Sequence, residues 1–327
     1  MLIIDKRNIE GLVLKEHFLS KTDDYHKNRL DSLVWEITLS FMLEDPRSFC
    51  RSILKKNASF GDLLYDLLET AVPLDEITRL VEVGGGYGYL MRDFLRRNDK
   101  LHATMIDLSP FLLTKQQEIL REFEVSFIQG DFLDMDSSIL SNFDLAILNE
   151  VIGDFPTACH ISMNVSEEGS DLENPLLQEI RRICTTYAIK PQHSERFNIN
   201  LGAIQALEKL CLAGVPHIYL SEHSCEARVP QQMAGLLELE ATGNPEMIRL
   251  HGHDEFTIRF SDLERVAAFF GYSTLRGQYI DFIEPLIGDD IEFILRLGSS
   301  KSDRHEIIRQ FIEDLIKYEY LIISLPA

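Results

Sequence analysis

The chain has 327 residues and a formal net charge of −21, with 45% hydrophobic and 26% charged residues. So acidic a protein repels a phosphate backbone, which argues against a nucleic-acid substrate, while small molecules and basic protein partners both fit. The longest apolar runs, such as Leu145–Leu148 and Tyr320–Leu325, fall far short of the roughly 20 residues a membrane span needs.

The opening Met1-Leu-Ile-Ile-Asp-Lys-Arg lacks the charged lead and long apolar stretch of a signal peptide. Cys50, Cys159, Cys184, Cys211 and Cys225 are scattered with no C-x-x-C pair, so reduced thiols in a cytoplasmic protein are expected. Without a secretory signal, the glycosylation-type triplets at Asn57 and Asn164 are read as chance.

Residues 1–78 read as a helical N-terminal cap or layer. Within Asn28–Met42, Leu30, Leu33, Val34, Ile37 and Phe41 recur at three- and four-residue steps, the pattern of one amphipathic helix. A second helix carries Leu63, Leu64, Leu67 and Leu68, with Ser59 as its cap and Pro73 beyond its end.

From residue 79 onward, strands and helices alternate, the pattern of a mostly parallel sheet covered on both faces. The predicted strands are Leu80–Val83, His102–Ile106, Val125–Gln129, Phe143–Leu148 and Val215–Leu220. Helices are expected from Tyr89, over Phe111 to about Glu122, and over Leu201–Ala213. Residues 157–199 are polar and irregular apart from a helical piece near Pro175–Cys184. Connections in α/β units usually run about 2–6 residues, so this segment reads as a lid or substrate-binding insert. A helix at Ser261–Phe270, a strand near Thr274–Tyr279, added helices at about 281–317 and a last strand at Tyr320–Leu325 complete the second region, 79–327.

The organising stretch is Arg79–Leu95, a short apolar strand, a glycine bend and a helix. Such a bend lets a ligand approach the backbone closely, and the helix aims its free N–H groups at that point. A dinucleotide fingerprint G-x-G-x-x-G would need glycine at position 89, where Tyr89 stands; this disfavours a nicotinamide dehydrogenase.

What stands instead is Glu82-x-Gly84-x-Gly86-x-Gly88, which resembles motif I of the class I S-adenosyl-L-methionine (SAM)-dependent methyltransferases. The resemblance implies a Rossmann-like, seven-stranded, mostly parallel sheet with SAM as cofactor. It also implies that the glycines pass under the methionine part of SAM, with Glu82 beside that end. Gly85 and Tyr87 belong to the same expected lining.

Other strand ends carry polar groups of fitting type. Asp107, followed by Leu108, is placed to accept from both ribose hydroxyls. Asp131 is placed to accept from the adenine amino group, with Phe132 against the adenine face. Asn149 and Glu150 stand where the fourth strand meets the methyl-transfer zone.

More narrowly, Val81–Leu95, the segment Asn149-Glu150-x-x-x-Asp154-x-Pro156 and the C-terminal layout look like the MidA family, whose mitochondrial members methylate an arginine on a subunit of respiratory complex I. This chain has Gly153 where that family's Asp would stand, and Asp154 one place later.

The resemblance implies a protein side chain, arginine among them, as methyl acceptor. Glu150 and Asp154 would then hold the guanidinium. His223 is a candidate general base for an alcohol or phenol acceptor. A small-molecule O- or N-methyltransferase and a SAM-binding assembly factor without turnover are the alternatives. His223, Cys225, His251 and His253 show no recognisable zinc-ligand spacing, so no metal is expected. The expected partners are a protein or small-molecule acceptor and a possible homodimer, with no nucleic acid and no membrane.

Overall fold

The computed structural model describes residues 17–33, 38–162, 174–190, 196–297 and 302–326. Its centre is a seven-stranded sheet: β1 (Arg79–Val83), β2 (His102–Asp107), β3 (Val125–Gln129), β4 (Leu145–Asn149), β5 (His217–His223), β6 (Ser273–Gln278) and β7 (Tyr318–Ser324). The strands lie in the order β3-β2-β1-β4-β5-β7-β6, and β7 alone runs against the rest. This is the mixed α/β, mostly parallel sheet of the Rossmann-like methyltransferase fold.

The apolar strands explain the arrangement. Every residue of β4 is buried, as is β1 after Arg79, because helices cover both faces of the sheet. One face packs on Phe60–Glu69, Tyr89–Arg97 and Asp303–Lys317, and the other on Pro175–Thr186, Leu201–Ala213 and Phe260–Phe269. Ser59 caps the first of these helices, its side chain accepting from the Asp62 N–H. The chain leaves β1 toward β2 on one side and returns to β4 on the other. The carboxyl ends of β1 and β4 therefore flank the switch point where open α/β sheets bind ligands.

Two expectations change. The single helix over Asn28–Met42 is absent among the described residues: a helix spans Asp23–Asn28 and a separate turn spans Leu39–Met42, with 34–37 outside the description. Competing partners take the backbone. The Leu33 N–H goes to the Tyr87 hydroxyl at 3.0 Å, and the Thr38 side chain starts a new turn by accepting from the Phe41 N–H. Leu30 and Leu33 turn onto Tyr25 and Leu112 instead of lining one long helix.

The segment 157–199 is also more ordered than its polarity suggested. Thr157–Ser162 pairs antiparallel with Phe18–Ser20 on one side and Arg196–Ile199 on the other, making a small sheet beside the main one. Its helix, Pro175–Thr186, is capped by Asn174, and the triplet at Asn164 lies outside the described residues.

Candidate functional site

At the switch point lies a cavity of about 790 Å³, within the range typical of small-molecule sites. The glycine bend forms its floor. Gly84, Gly86 and Gly88 adopt φ of 65°, 53° and 87°, the left-handed region. At Gly84 a Cβ would lie 2.3 Å from Val151 Cγ2, so strain and crowding both require glycine there.

Glu82 sits beneath this bend, 2% exposed, and its Oε2 has no hydrogen-bond partner among the described residues. Burial, with the Asp107 charge second, pushes its carboxyl up to about 8. An unpartnered buried carboxylate oxygen at a cavity wall suits a cationic group of a ligand. Asp107 ends β2; Oδ1 accepts the Ser109 N–H at 2.9 Å and Oδ2 the Gln116 amide at 2.8 Å. Burial raises it to about 6 against the pull of those two donors. The same Gln116 amide donates to the Gly86 carbonyl at 3.0 Å, tying the bend to the aspartate.

Leu108, Asp131 and Phe132 line the cavity further along. Asp131 caps a turn by accepting the Leu133 N–H at 2.9 Å. Phe132 is buried and lies nearly parallel to Phe155, with centroids 6.4 Å apart. Lys209, from the helix after the insert, donates to the Leu133 and Met135 carbonyls and fixes this loop. Tyr87 also faces the cavity, and its hydroxyl anchors Leu33.

The tip of β4 supplies the rest. The Asn149 Oδ1 accepts from Ser221 Oγ at 3.0 Å and from the Tyr279 hydroxyl at 2.9 Å, so that side chain is locked. Glu150 turns out of the strand at φ 51°, a conformation rare for a residue with a side chain and frequent at functional sites. Its Oε2 accepts the Leu39 N–H at 3.2 Å, and burial pushes its carboxyl up to about 7.

Asp154 lines the cavity with His26 Nε2 2.9 Å from its Oδ1, while Thr22 Oγ1 donates to its carbonyl at 2.9 Å. Burial raises its pKa, but the charges of and hydrogen bonds from His26 and His253 outweigh it and hold the carboxyl well below its ordinary range. Gly153, one place before the aspartate, is closely packed. A Cβ on Gly153 would lie 3.0 Å from the Phe256 carbonyl and 3.1 Å from the Glu222 carboxyl, so a side chain there would have to push both neighbours back by a few tenths of an ångström.

His223 does not meet these residues. It packs over Tyr318 at 3.8 Å between ring centroids, with Nε2 3.8 Å from Asp314, and lies off the cavity wall. Its neighbour Glu222 accepts the Gly153 N–H at 3.1 Å and lies off the cavity wall as well.

Residues not foreseen from the sequence are Thr22, His26, Leu33 and Lys209 in the cavity lining and Leu39 beside Glu150, while His253, whose spacing gives no zinc signal, stands against Asp154. Leu33 and Leu39 act through backbone N–H groups, which carry no sequence signal at all. His26 and Asp154 stand 128 residues apart, so no local spacing announces their pairing.

Residues 74–187 match the family described as a methyltransferase domain, about a third of the chain. That stretch holds the glycine bend and the ends of β1 to β4. The stretch is similar to a methyltransferase domain. No curated protein matches the chain.

Among solved structures, a COG1565 superfamily protein from Burkholderia thailandensis is similar, with TM-score 0.51 and 14% identity, covering 81% of this chain and 78% of that one. A COG1565 superfamily member from the same organism, bound to S-adenosylhomocysteine, gives TM-score 0.49 and 15% identity over 81% and 76%. Domain match and fold together support SAM as the cofactor and a SAM-dependent methyltransferase as the activity. The residues fit that group: Glu82 offers a buried oxygen without a partner among the described residues, Asp107 a carboxylate on the cavity wall at the end of β2, and the bend a surface cleared of side chains.

Proposed function

We propose that the chain methylates a nitrogen acceptor that carries or can carry positive charge, an amine or guanidine, with Glu150 as the carboxylate facing it. The observation that carries this reading is Glu150 itself. It is a partly buried carboxylate on the cavity wall at the tip of β4, held in a left-handed turn and poised near neutrality.

SAM supplies a methyl group on a sulfonium, an electrophile that needs an aligned nucleophile and little else. Glu82 and Asp107 would hold its charged and ribose ends. Glu150 would accept a hydrogen bond from the incoming nitrogen and take its proton, and a base with pKa close to the working pH is the most effective kind. Asp154 is already engaged by His26, so a bidentate guanidinium clamp by Glu150 and Asp154 together would need that pair to part.

An arginine side chain, as the MidA resemblance implies, is one acceptor of this class. A free small amine is the second reading, favoured by the way Leu33 and Leu39 bring the N-terminal segment over the cavity. Incubating the chain with methyl-labelled SAM and a cell extract, then separating label by molecular size, discriminates them. Label in protein, recovered as methylarginine after hydrolysis, supports the first; label in small basic metabolites supports the second. Label on a hydroxyl or carboxyl product overturns the nitrogen reading.

A further inference from the structure

We propose that His26, Asp154 and His253 form a binding site for one divalent transition-metal ion at the edge of the cavity. The His26 Nε2 lies 2.9 Å and the His253 Nε2 3.4 Å from the same Asp154 oxygen, and all three ligand atoms fall within 4.8 Å of one another. Nitrogen and oxygen ligands about 2.0–2.2 Å from an ion stand roughly 3–3.5 Å apart, so one ion between these atoms needs only small side-chain shifts. Glu255 offers a further oxygen, 3.2 Å from the His253 Nε2.

Two imidazoles and one or two carboxylates are a borderline ligand set, suited to zinc, iron, cobalt or nickel rather than to calcium or magnesium.

The fold holds these ligands rigidly. His26 comes from the helix Asp23–Asn28, Asp154 from the turn after β4, and His253 from the hairpin that ends in Asp254–Phe256. The Tyr25 ring stacks on His253 with centroids 4.3 Å apart, and the His253 side chain is 2% exposed. His26 and Asp154 keep 14% and 15% exposure and line the cavity, so an ion has a way in and a coordination position facing the acceptor space. An ion here would also fasten the N-terminal segment to the domain. It stands apart from the glycine bend, so its presence is measured independently of methyl transfer.

The test uses the full chain, stripped with a chelator, dialysed, and titrated with Zn²⁺ by calorimetry and with Co²⁺ by visible absorption. The expected result is one ion per chain, a Co²⁺ d–d spectrum typical of nitrogen and oxygen ligands, and a raised melting temperature with Zn²⁺. His253→Gln and His26→Gln should each weaken binding at least about 10-fold, whereas His251→Gln, outside the cluster, should bind as the parent does. SAM binding by each variant reports that it has folded. Fewer than half an ion per parent chain, or equal binding by folded His253→Gln and His26→Gln, would overturn the site and leave a hydrogen-bonded histidine–aspartate cluster.

Discussion

The Leu39 N–H donates to Glu150 Oε2 at 3.2 Å, so the carboxylate at the tip of β4 and a segment 111 residues earlier hold one another over the cavity. Burial places that carboxyl at about 7. A base must be ionised to take a proton, so kcat/KM should rise with pH through about 7 and then level. Glu150→Gln keeps the shape, and its amide oxygen can still accept from Leu39, but it removes the base. Turnover should fall by about 10²–10⁴ while the SAM Kd changes less than about threefold. Unchanged turnover in this variant would remove Glu150 from the chemistry.

Glu82 gives a prediction in which stability and binding move in opposite directions. Its folded pKa of about 8 lies above the ordinary 4.5, because burial penalises the charge. A carboxyl raised in this way contributes stability that is fully present below pH 4.5 and is lost as the pH rises through about 8. Glu82→Gln cannot ionise. It should therefore be more stable than the parent at pH 8.5, by on the order of 2 kcal/mol in urea unfolding, and should lose that advantage at pH 4.5. Calorimetry should show the same variant binding SAM at least about 10-fold more weakly, because the cationic end loses its counter-charge. Equal stability at both pH values would mean that the carboxylate is solvated rather than buried.

Much of this site can be read along the chain because each part is local. Glu82 and the glycines, Asp107 and Leu108, Asp131 and Phe132, and Asn149 and Glu150 stand at or just past the ends of four strands that apolar runs and turn residues mark. The strand Val125–Gln129 and the helix Leu201–Ala213 stand where their residues predict. What the pattern could not reveal is tertiary. The three- and four-residue steps of Leu30 and Leu33 are real, but both side chains pack onto Tyr25 and Leu112 across a broken helix. The polar segment 157–199 forms strands because Phe18–Ser20 supplies the missing edge from well over a hundred residues away. His223 has suitable chemistry but packs on Tyr318 beside Asp314, off the cavity wall.

The cover over the cavity rests partly on Tyr87, whose hydroxyl accepts the Leu33 N–H at 3.0 Å. Tyr87→Phe removes one acceptor from a partly buried donor, a loss of about 1 kcal/mol. That cost should fall on local opening of the N-terminal segment rather than on global unfolding. Hydrogen exchange at Leu33 and its neighbours should quicken about fivefold while protection in β1 and β4 stays as it is. Faster exchange throughout the sheet would show that the segment is part of one cooperative unit with the core.

Asp107 titrates at about 6 in the free chain, raised by burial. Ribose hydroxyls need its ionised form as acceptor, so binding the cofactor below pH 6 requires the carboxyl first to give up a proton. Affinity for S-adenosylhomocysteine should therefore fall by about 10-fold for each pH unit below 6, with proton release visible as a dependence of the calorimetric heat on buffer ionisation. Asp107→Asn cannot release that proton; it should bind at least about 10-fold more weakly at pH 7.5 and lose the acidic limb of the profile. The Gln116 amide would then face an amide in place of a carboxylate, and the Gly86 carbonyl it also holds would loosen with it. A double variant with Gln116→Ala should accordingly lose less than the sum of the two single losses. Strict additivity would show that the bend and the aspartate act separately.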